Sequence, residues 1–199
     1  MSLSLVAGLG NPGRDYQDTR HNLGWILLDA FAREKGLVWQ VQSQLEAEIA
    51  KWSRPGQPAC ILLKPLTYMN DSGRALAAAA RYFKVAPTDI AVVYDEYTIE
   101  LGRLKVSIGG SAGGHNGVAS VLQHLGDGFV RYRLGIGPKQ PAQIDLKDFV
   151  LGKFTPSQQS LVTQSLPHFL QGLDLLVTHG AEKAMNTLNR KDPNETDQP

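Results

Sequence analysis

The sequence predicts a single α/β domain in which a twisted mixed β-sheet is surrounded by helices and the C-terminus is helical. Three observations predict this. The 199 residues suffice for one sizeable core and are few for two. Short strand-like runs alternate with amphipathic segments, and neither a repeat nor a linker divides the chain. We expect one domain over residues 1–189. Residues 190–199 should form a flexible tail because they lack apolar side chains.

Six short apolar runs are predicted to be strands, because they have the composition and length typical of strands. They cover residues 4–9, 47–52, 59–64, 90–95, 104–108 and 132–136.

Three helices are predicted from apolar residues that recur with helical spacing. The first follows Asn22, a good N-cap, and ends at Gly36. The second begins near Ser72. The third follows Asn116, which would be its N-cap, and ends at Gly126.

The C-terminal residues 156–189 predict two more helices, with Pro167 interrupting or kinking the first. No run approaches the roughly 20 apolar residues of a membrane helix. The N-terminus lacks the basic region of a signal peptide, so a cytoplasmic protein is the simplest expectation. The single cysteine, Cys60, lies in an apolar run and is predicted to be a buried core residue.

Charge is distributed unevenly although the net charge is only +1. Residues 101–140 contain a single acid, Asp127, and the basic residues Arg103, Lys105, Arg131, Arg133 and Lys139. A local basic patch suits an anionic ligand, and solvated surface charge is the alternative.

Four polar segments follow predicted strands, at residues 10–22, 64–72, 95–96 and 109–116. In open α/β sheets ligands bind beyond the carboxyl ends of the strands. We therefore expect these segments to converge on one cleft.

The first segment contains G-x-G-x-x-G, but residues 14–22 separate it from the next helix, which does not match a dinucleotide-binding turn. It offers Asn11, Tyr16 and His21 instead. A lone histidine is more often structural than catalytic. At a helix start, however, the helix dipole keeps an imidazole neutral and able to accept a proton.

The remaining segments carry an amide, a carboxylate and a glycine-rich loop. Asn70 precedes a helix, where it either caps a turn or bonds a carbonyl and a water. Asp95 ends an apolar strand, where it is solvated or orients a histidine. A metal site is disfavoured because no histidine pair has ligand spacing. The loop GGSAGGHNG can form an anion-binding nest.

Together these segments resemble the bacterial peptidyl-tRNA hydrolase family. The resemblance is carried by GLGNPGRDYQDTRHNLG, KPLTYMNDSG, YDE, GGHNG, and RYRLGIG with a following FVLGKF, over residues 3 to about 155. It implies a monomer that hydrolyses the ester between a peptide and the 3′ ribose of tRNA, without cofactor or metal.

The resemblance also implies residue roles. His21 would be the catalytic base, Asp95 its orienting partner, and Asn11 a further catalytic residue. Substrate or tRNA contacts would come from Tyr16, Tyr68, Asn70, Asn116, Arg133 and Lys105.

Three positions depart from the family pattern. Tyr94 and Ala112 stand where the family often has histidine, and Ser107 replaces a lysine that grips phosphate together with Arg133. Lys105 lies two residues earlier, on the same face of the strand, and is the candidate replacement.

The implied mechanism has His21, held by Asp95, take a proton from a water that attacks the ester. Neither a serine nor a cysteine is placed as a nucleophile. His115 is a rival base, although its position in the glycine-rich loop favours a structural or peptide-contacting role. Two alternatives remain: a non-catalytic RNA-binding relative, and a general esterase or nucleotide-binding enzyme.

Overall fold

Seven strands form one sheet in the computed structural model, which describes residues 3–190. They are β1 (Leu5–Gly8), β2 (Gln40–Gln42), β3 (Ala47–Arg54), β4 (Gln57–Pro65), β5 (Ile90–Glu100), β6 (Leu104–Ile108) and β7 (Val130–Gly137). Their order along the sheet is β2-β3-β4-β1-β5-β7-β6. The pairs β1–β4, β1–β5 and β5–β7 are parallel, whereas β2–β3, β3–β4 and β6–β7 are antiparallel. The predicted mixed sheet is confirmed.

Six helices cover the sheet. They are α1 (Leu23–Glu34), α2 (Ser72–Phe83), α3 (Asn116–Leu125), α4 (Leu146–Leu151), α5 (Pro156–His179) and α6 (Ala181–Leu188). Short 3-10 turns precede α1 and α2, at Arg20–Asn22 and Met69–Asp71. Within residues 3–190, none of the helices has the length and apolar composition needed to cross a bilayer.

All six predicted strands and all five predicted helices occur, with small differences at their ends. The largest concerns β5, which continues to Glu100, five residues beyond its predicted end. The strand β2 and the helix α4 were not predicted, because three and six residues are too few to show a period. The predicted tail lies outside the described residues, except for Arg190.

The structure differs from the predicted helices in three details. The N-cap of α3 is His115 rather than Asn116, and its side chain accepts a hydrogen bond from the backbone of Val118. Asn22 holds the N-cap position of α1 without capping it, because its side chain bonds elsewhere. The helix α5 runs through Pro167, so an interruption there is wrong, whereas a kink at Pro167 stays a prediction.

The two faces of the sheet have separate hydrophobic cores, as the alternation of side chains along strands requires. One face packs against α1, α5 and α6, with Phe31, Tyr132 and Phe169 fully buried. The other packs against α2 and α3, with Leu76 and Phe129 buried. Cys60 belongs to the first core, is fully buried and forms no disulfide, as predicted.

The start of α1 lies directly against β5 and the residue that follows β1. A Cβ atom on Gly24 would lie 2.5 Å from the carbonyl oxygen of Val93 and 2.7 Å from that of Leu9. Only glycine permits this approach. It brings the turn before α1, which contains His21, to the carboxyl ends of β1 and β5.

Candidate active site

A cleft of about 560 Å³ opens at the carboxyl ends of the parallel strands. This volume lies in the range of small-ligand sites. All four polar segments contribute to it, so the predicted convergence is confirmed. Its lining consists of Asn11, His21, Met69, Asn70, Asp95, Glu96, Tyr97, Gly113, Gly114, His115, Asn116, Leu146, Lys147, Val150 and Leu151.

Two histidines share one buried carboxylate in this cleft. The Nδ1 atom of His21 lies 2.9 Å from Oδ1 and 3.1 Å from Oδ2 of Asp95. The Nε2 atom of His115 lies 3.1 Å from the same Oδ1 atom. Asp95 is only 3% exposed, so these hydrogen bonds are little weakened by water.

The hydrogen bonds determine which ring nitrogen carries the proton. The Nδ1 atom of His115 accepts from the backbone N–H of Val118 at 3.2 Å, so its proton lies on Nε2 and is donated to Asp95. Both nitrogens of His115 are therefore engaged. His21 donates Nδ1–H to Asp95, which leaves its Nε2 atom as the acceptor in the cleft. This geometry favours His21 over His115 as the base.

Asp95 is held in its ionised form. Burial alone would raise the pKa of this carboxyl. The adjacent His21 and His115 outweigh burial through charge and hydrogen bonds, and hold the pKa of Asp95 well below its usual range. An ionised carboxylate in this position would stabilise an imidazolium if His21 took a proton.

The side-chain amide of Asn11 is held by its oxygen, so its N–H₂ group is available to donate. Its Oδ1 atom accepts from the backbone N–H of Met69 at 2.8 Å. Its own backbone N–H and C=O bond to the side chain of Asn22 at 2.9 and 3.0 Å. Since Oδ1 is occupied and Asn11 lines the cleft, Nδ2 can donate to a substrate oxygen.

Asn22 is a supporting residue that sequence reasoning missed. It is 1% exposed and both ends of its amide bond to Asn11. Its position before a helix indicated an N-cap, and the sequence carries no signal for a bond across 11 residues.

Three potential metal ligands also meet here. The side chains of His21, Asp95 and His115 offer one ligand atom each within 4.8 Å of one another, the single such group among residues 3–190. An ion there would displace both imidazole protons from the carboxylate. The three side chains already hydrogen-bond to one another, and His115 also bonds Val118. The absence of a catalytic metal stays a prediction.

The basic segment is smaller on the surface than its sequence indicated. Arg131 is buried and donates to the carbonyls of Gly110 and Ser111, the latter at 2.6 Å, so it fastens the glycine loop. Arg103 pairs with Glu100 at 3.0 Å.

Two basic residues of this segment stand side by side on the sheet. Lys105 on β6 lies directly opposite Arg133 on β7, whereas Ser107 lies opposite Arg131. Lys105 is exposed and Arg133 half-buried. Like charges directly opposite each other destabilise an antiparallel pair, and a phosphate bound between them would remove that repulsion.

Comparison with known proteins agrees with the residue pattern. The sequence model described as Peptidyl-tRNA hydrolase matches residues 5–196. The chain belongs to the peptidyl-tRNA hydrolase family. A peptidyl-tRNA hydrolase from Symbiobacterium thermophilum is 46% identical over 93% of this chain and 98% of the relative. One from Gloeobacter violaceus is 41% identical over 96% of each chain.

A solved structure extends the likeness to the fold. The crystal structure of peptidyl-tRNA hydrolase from Acinetobacter baumannii superposes with a TM-score of 0.87 at 34% identity, covering 96% of each chain. The single-domain α/β fold is therefore that of the peptidyl-tRNA hydrolase family.

The remaining expected substrate residues of this family member lie in or beside the cleft. Asn70 and Asn116 line it and are exposed. Tyr68 precedes the lining residue Met69, and its ring lies 6.4 Å from that of Tyr16, edge to face. Tyr68 is 59% exposed. These two aromatic rings offer a stacking surface next to the cleft.

Proposed function

We propose that the chain hydrolyses the ester bond between a peptide, or another N-acyl-aminoacyl group, and the 3′ ribose of tRNA. It would thereby recycle tRNA from peptidyl-tRNA that leaves the ribosome prematurely. The observation that carries this proposal is the His21–Asp95 pair in the cleft of a chain that belongs to the peptidyl-tRNA hydrolase family.

The first chemical step is attack by water. The Nε2 atom of His21 takes a proton from water as the water oxygen bonds to the ester carbonyl carbon. Asp95 keeps the Nδ1–H tautomer and stabilises the imidazolium that forms. The Nδ2 amide of Asn11, with that of Asn70, donates to the developing oxyanion.

Collapse of the tetrahedral intermediate completes the reaction. The bond from the carbonyl carbon to the ribose oxygen breaks, and the leaving oxygen takes the proton held by His21. The products are tRNA with an intact 3′ end and a peptide with a free carboxyl group, which releases its proton to solvent. His115 serves as a positioning residue, because its Nε2–H donates to Asp95 while its Nδ1 atom accepts from the backbone N–H of Val118.

The RNA is recognised mainly through phosphate. Lys105 and Arg133 grip a backbone phosphate, with Lys105 in place of the lysine that Ser107 replaces. Tyr16 and Tyr68 flank the cleft that receives the 3′ end. Contacts of this kind weaken with salt. The logarithm of the affinity falls by about 0.7 to 0.9 per phosphate neutralised for each tenfold rise in salt concentration.

The other properties are those that the family implies. We propose a monomer that needs neither cofactor nor metal and acts in the cytoplasm, where ribosomes release its substrate. The mass of the protein in solution tests the monomer. Activity that a chelator leaves unchanged would support the absence of a metal.

The decisive experiment is release of peptide from an N-acylated aminoacyl-tRNA. Wild type should cleave it, and His21→Ala should lose about 100- to 10,000-fold in kcat while still binding tRNA, the usual contribution of a general base. His124→Ala is the control, since His124 lies on α3 with its ring bonded to the carbonyl of Ser120. Binding without cleavage by wild type would favour the non-catalytic RNA-binding alternative.

A second experiment tests the phosphate site. Lys105→Ala should weaken tRNA binding and make the slope of log affinity against log salt concentration shallower by about 1, the value of one phosphate contact. Ser107→Lys should strengthen binding. Lys51→Ala is the matched control, because Lys51 is an exposed lysine on the distant strand β3. Equal effects of Lys105→Ala and Lys51→Ala would contradict the assignment.

A further inference from the structure

Arg20, the residue before the candidate base His21, turns away from solvent and into the protein. It is 8% exposed. Its Nη1 atom donates to the carbonyl of Phe149 at 3.1 Å, and Nη2 donates to the side chain of Gln158 at 2.8 Å. The guanidinium also lies over two rings, 4.6 Å from the centre of Phe149 and 5.3 Å from that of Phe154. Every one of these partners belongs to α4, α5 or the segment between them.

The backbone beside Arg20 is attached to the same segment. The N–H of Arg20 donates to the carbonyl of Gly152 at 3.1 Å, and Thr19 forms an antiparallel bridge with Lys153. A Cβ atom on Gly152 would lie 2.9 Å from Nη1 of Arg20, so a side chain at position 152 would disturb the guanidinium. The chain that carries His21 is thus fixed to the segment that follows α4.

The helix α4, which precedes that segment, forms one wall of the cleft. The residues of α4 that line the cleft are Leu146, Lys147, Val150 and Leu151. A helix of six residues has little stability of its own. Its position therefore depends on attachments to neighbouring elements, and the Arg20 guanidinium supplies two of them.

Gln158 connects this arrangement to the start of α5. Its Oε1 atom accepts from Arg20 and also from the backbone N–H of Thr155 at 3.0 Å. The hydroxyl of Thr155 accepts in return from the backbone N–H of Gln158, which completes the capping box of the 24-residue helix. The long helix gives the attachment a rigid base.

The cost of burying this cation indicates a role in geometry. Among residues 3–190 the partners of Arg20 are a carbonyl, an amide oxygen and two aromatic rings, none of them a carboxylate. A buried charge without a counter-charge is expensive to desolvate. Burial accordingly lowers the pKa of Arg20.

We propose that Arg20 is a positioning residue that holds the α4 wall in register with His21, so that substrate is clamped with its ester at the base. The kinetic part of this inference rests on the proposed hydrolysis. An error of about 1 Å in such positioning can cost on the order of 100-fold in rate. Loss of Arg20 should therefore reduce kcat/KM by about 10- to 100-fold, with an increase in KM because the wall contacts substrate.

The test uses Arg20→Gln and Arg20→Lys in the full chain, with kcat and KM measured separately on N-acylated aminoacyl-tRNA. Hydrogen exchange of the backbone amides in residues 146–155 is compared with that in β5. Both variants should lose activity as stated and exchange faster in residues 146–155 alone. Lys153→Ala is the matched control, because it removes an exposed ion pair with Asp18 between the same two segments.

Gln158 provides the conservative comparison. Gln158→Leu removes one of the two guanidinium bonds and should lower kcat/KM by about 3- to 10-fold. Gln158→Glu restores an acceptor for Arg20 and should remain within about threefold of wild type.

The outcomes separate the two proposals. Wild-type kcat and KM in folded Arg20→Gln would overturn the positioning role and leave the hydrolase proposal intact. A loss of activity that only follows the folded fraction, with exchange raised throughout the chain, would make Arg20 a merely structural residue and also overturn it. Failure of wild type to hydrolyse would overturn the proposed function, while the exchange data would still test whether Arg20 holds α4.

Discussion

Asp95→Asn tests the core of the candidate site with almost no change in shape. The substitution keeps one oxygen and replaces the other by an N–H₂ group, and it removes the negative charge. With the amide oxygen at the Oδ1 position, hydrogen bonds from His21 and His115 both survive. The amide nitrogen then lies at the Oδ2 position, 3.1 Å from Nδ1–H of His21, so two donors face each other.

The two donors no longer face each other if the proton of His21 moves from Nδ1 to Nε2. If Nδ1 accepts from the amide, the ring proton lies on Nε2, and the nitrogen in the cleft can no longer take a proton from water. The opposite amide orientation is worse, because the N–H₂ group would then face N–H donors from both rings. Asp95→Asn therefore favours the wrong tautomer and removes the anion that stabilises imidazolium.

The expected loss in kcat is about 10² to 10⁴-fold, the usual contribution of general-base catalysis. At about 1.4 kcal/mol per factor of ten, this is roughly 3 to 5 kcal/mol of transition-state stabilisation. KM should change little, because Asp95 is 3% exposed and reaches substrate only through His21.

The assay is single-turnover release of peptide from N-acylated aminoacyl-tRNA, with tRNA affinity measured in parallel. Asp89→Asn is the matched control, since Asp89 directly precedes β5 and does not line the cleft. Its effect should be at least tenfold smaller. A kcat for Asp95→Asn within tenfold of wild type would refute the assignment of tautomer and anion to Asp95.

Three further predictions concern stability and reactivity. Because the pKa of Asp95 is lowered in the folded protein, its charge stabilises the fold above the ordinary carboxyl pKa of about 4, and this contribution is lost as pH falls below it. The free energy of unfolding of wild type should thus fall more steeply than that of Asp95→Asn between about pH 4 and about pH 2, and parallel curves would contradict it. Burial raises the pKa of Cys60 to about 12, so a thiol reagent at pH 8 should label it only after unfolding, whereas rapid labelling of folded protein would count against its burial. Gly73→Ala should destabilise the fold by several kcal/mol, because the new Cβ would overlap the carbonyl of Ser120 where α2 meets α3. Urea unfolding measures this loss, and a loss below about 1 kcal/mol would contradict the close contact of the two helices.

Most of the architecture follows from local patterns. The composition and length of apolar runs indicated the strands of the central sheet, and the helical spacing of apolar residues indicated α1, α2 and α3. The polar segments after strands indicated where the cleft would lie, since parallel strands bring their carboxyl ends to one edge. The short elements β2 and α4 carry too few residues for this reasoning.

The sequence by itself determined the fold class, the family resemblance and the segments that meet in the cleft, because these are properties of residue order and spacing. Only the tertiary structure decided which side chains share hydrogen bonds. His21 and Asp95 are 74 residues apart, and the engagement of His115 by Asp95 and Val118 depends on the same packing. The burial of Arg131 and the contacts of Arg20 also arise only when distant segments pack together. A hydrogen bond depends on distance and direction in space, and neither is encoded by the local period of a chain.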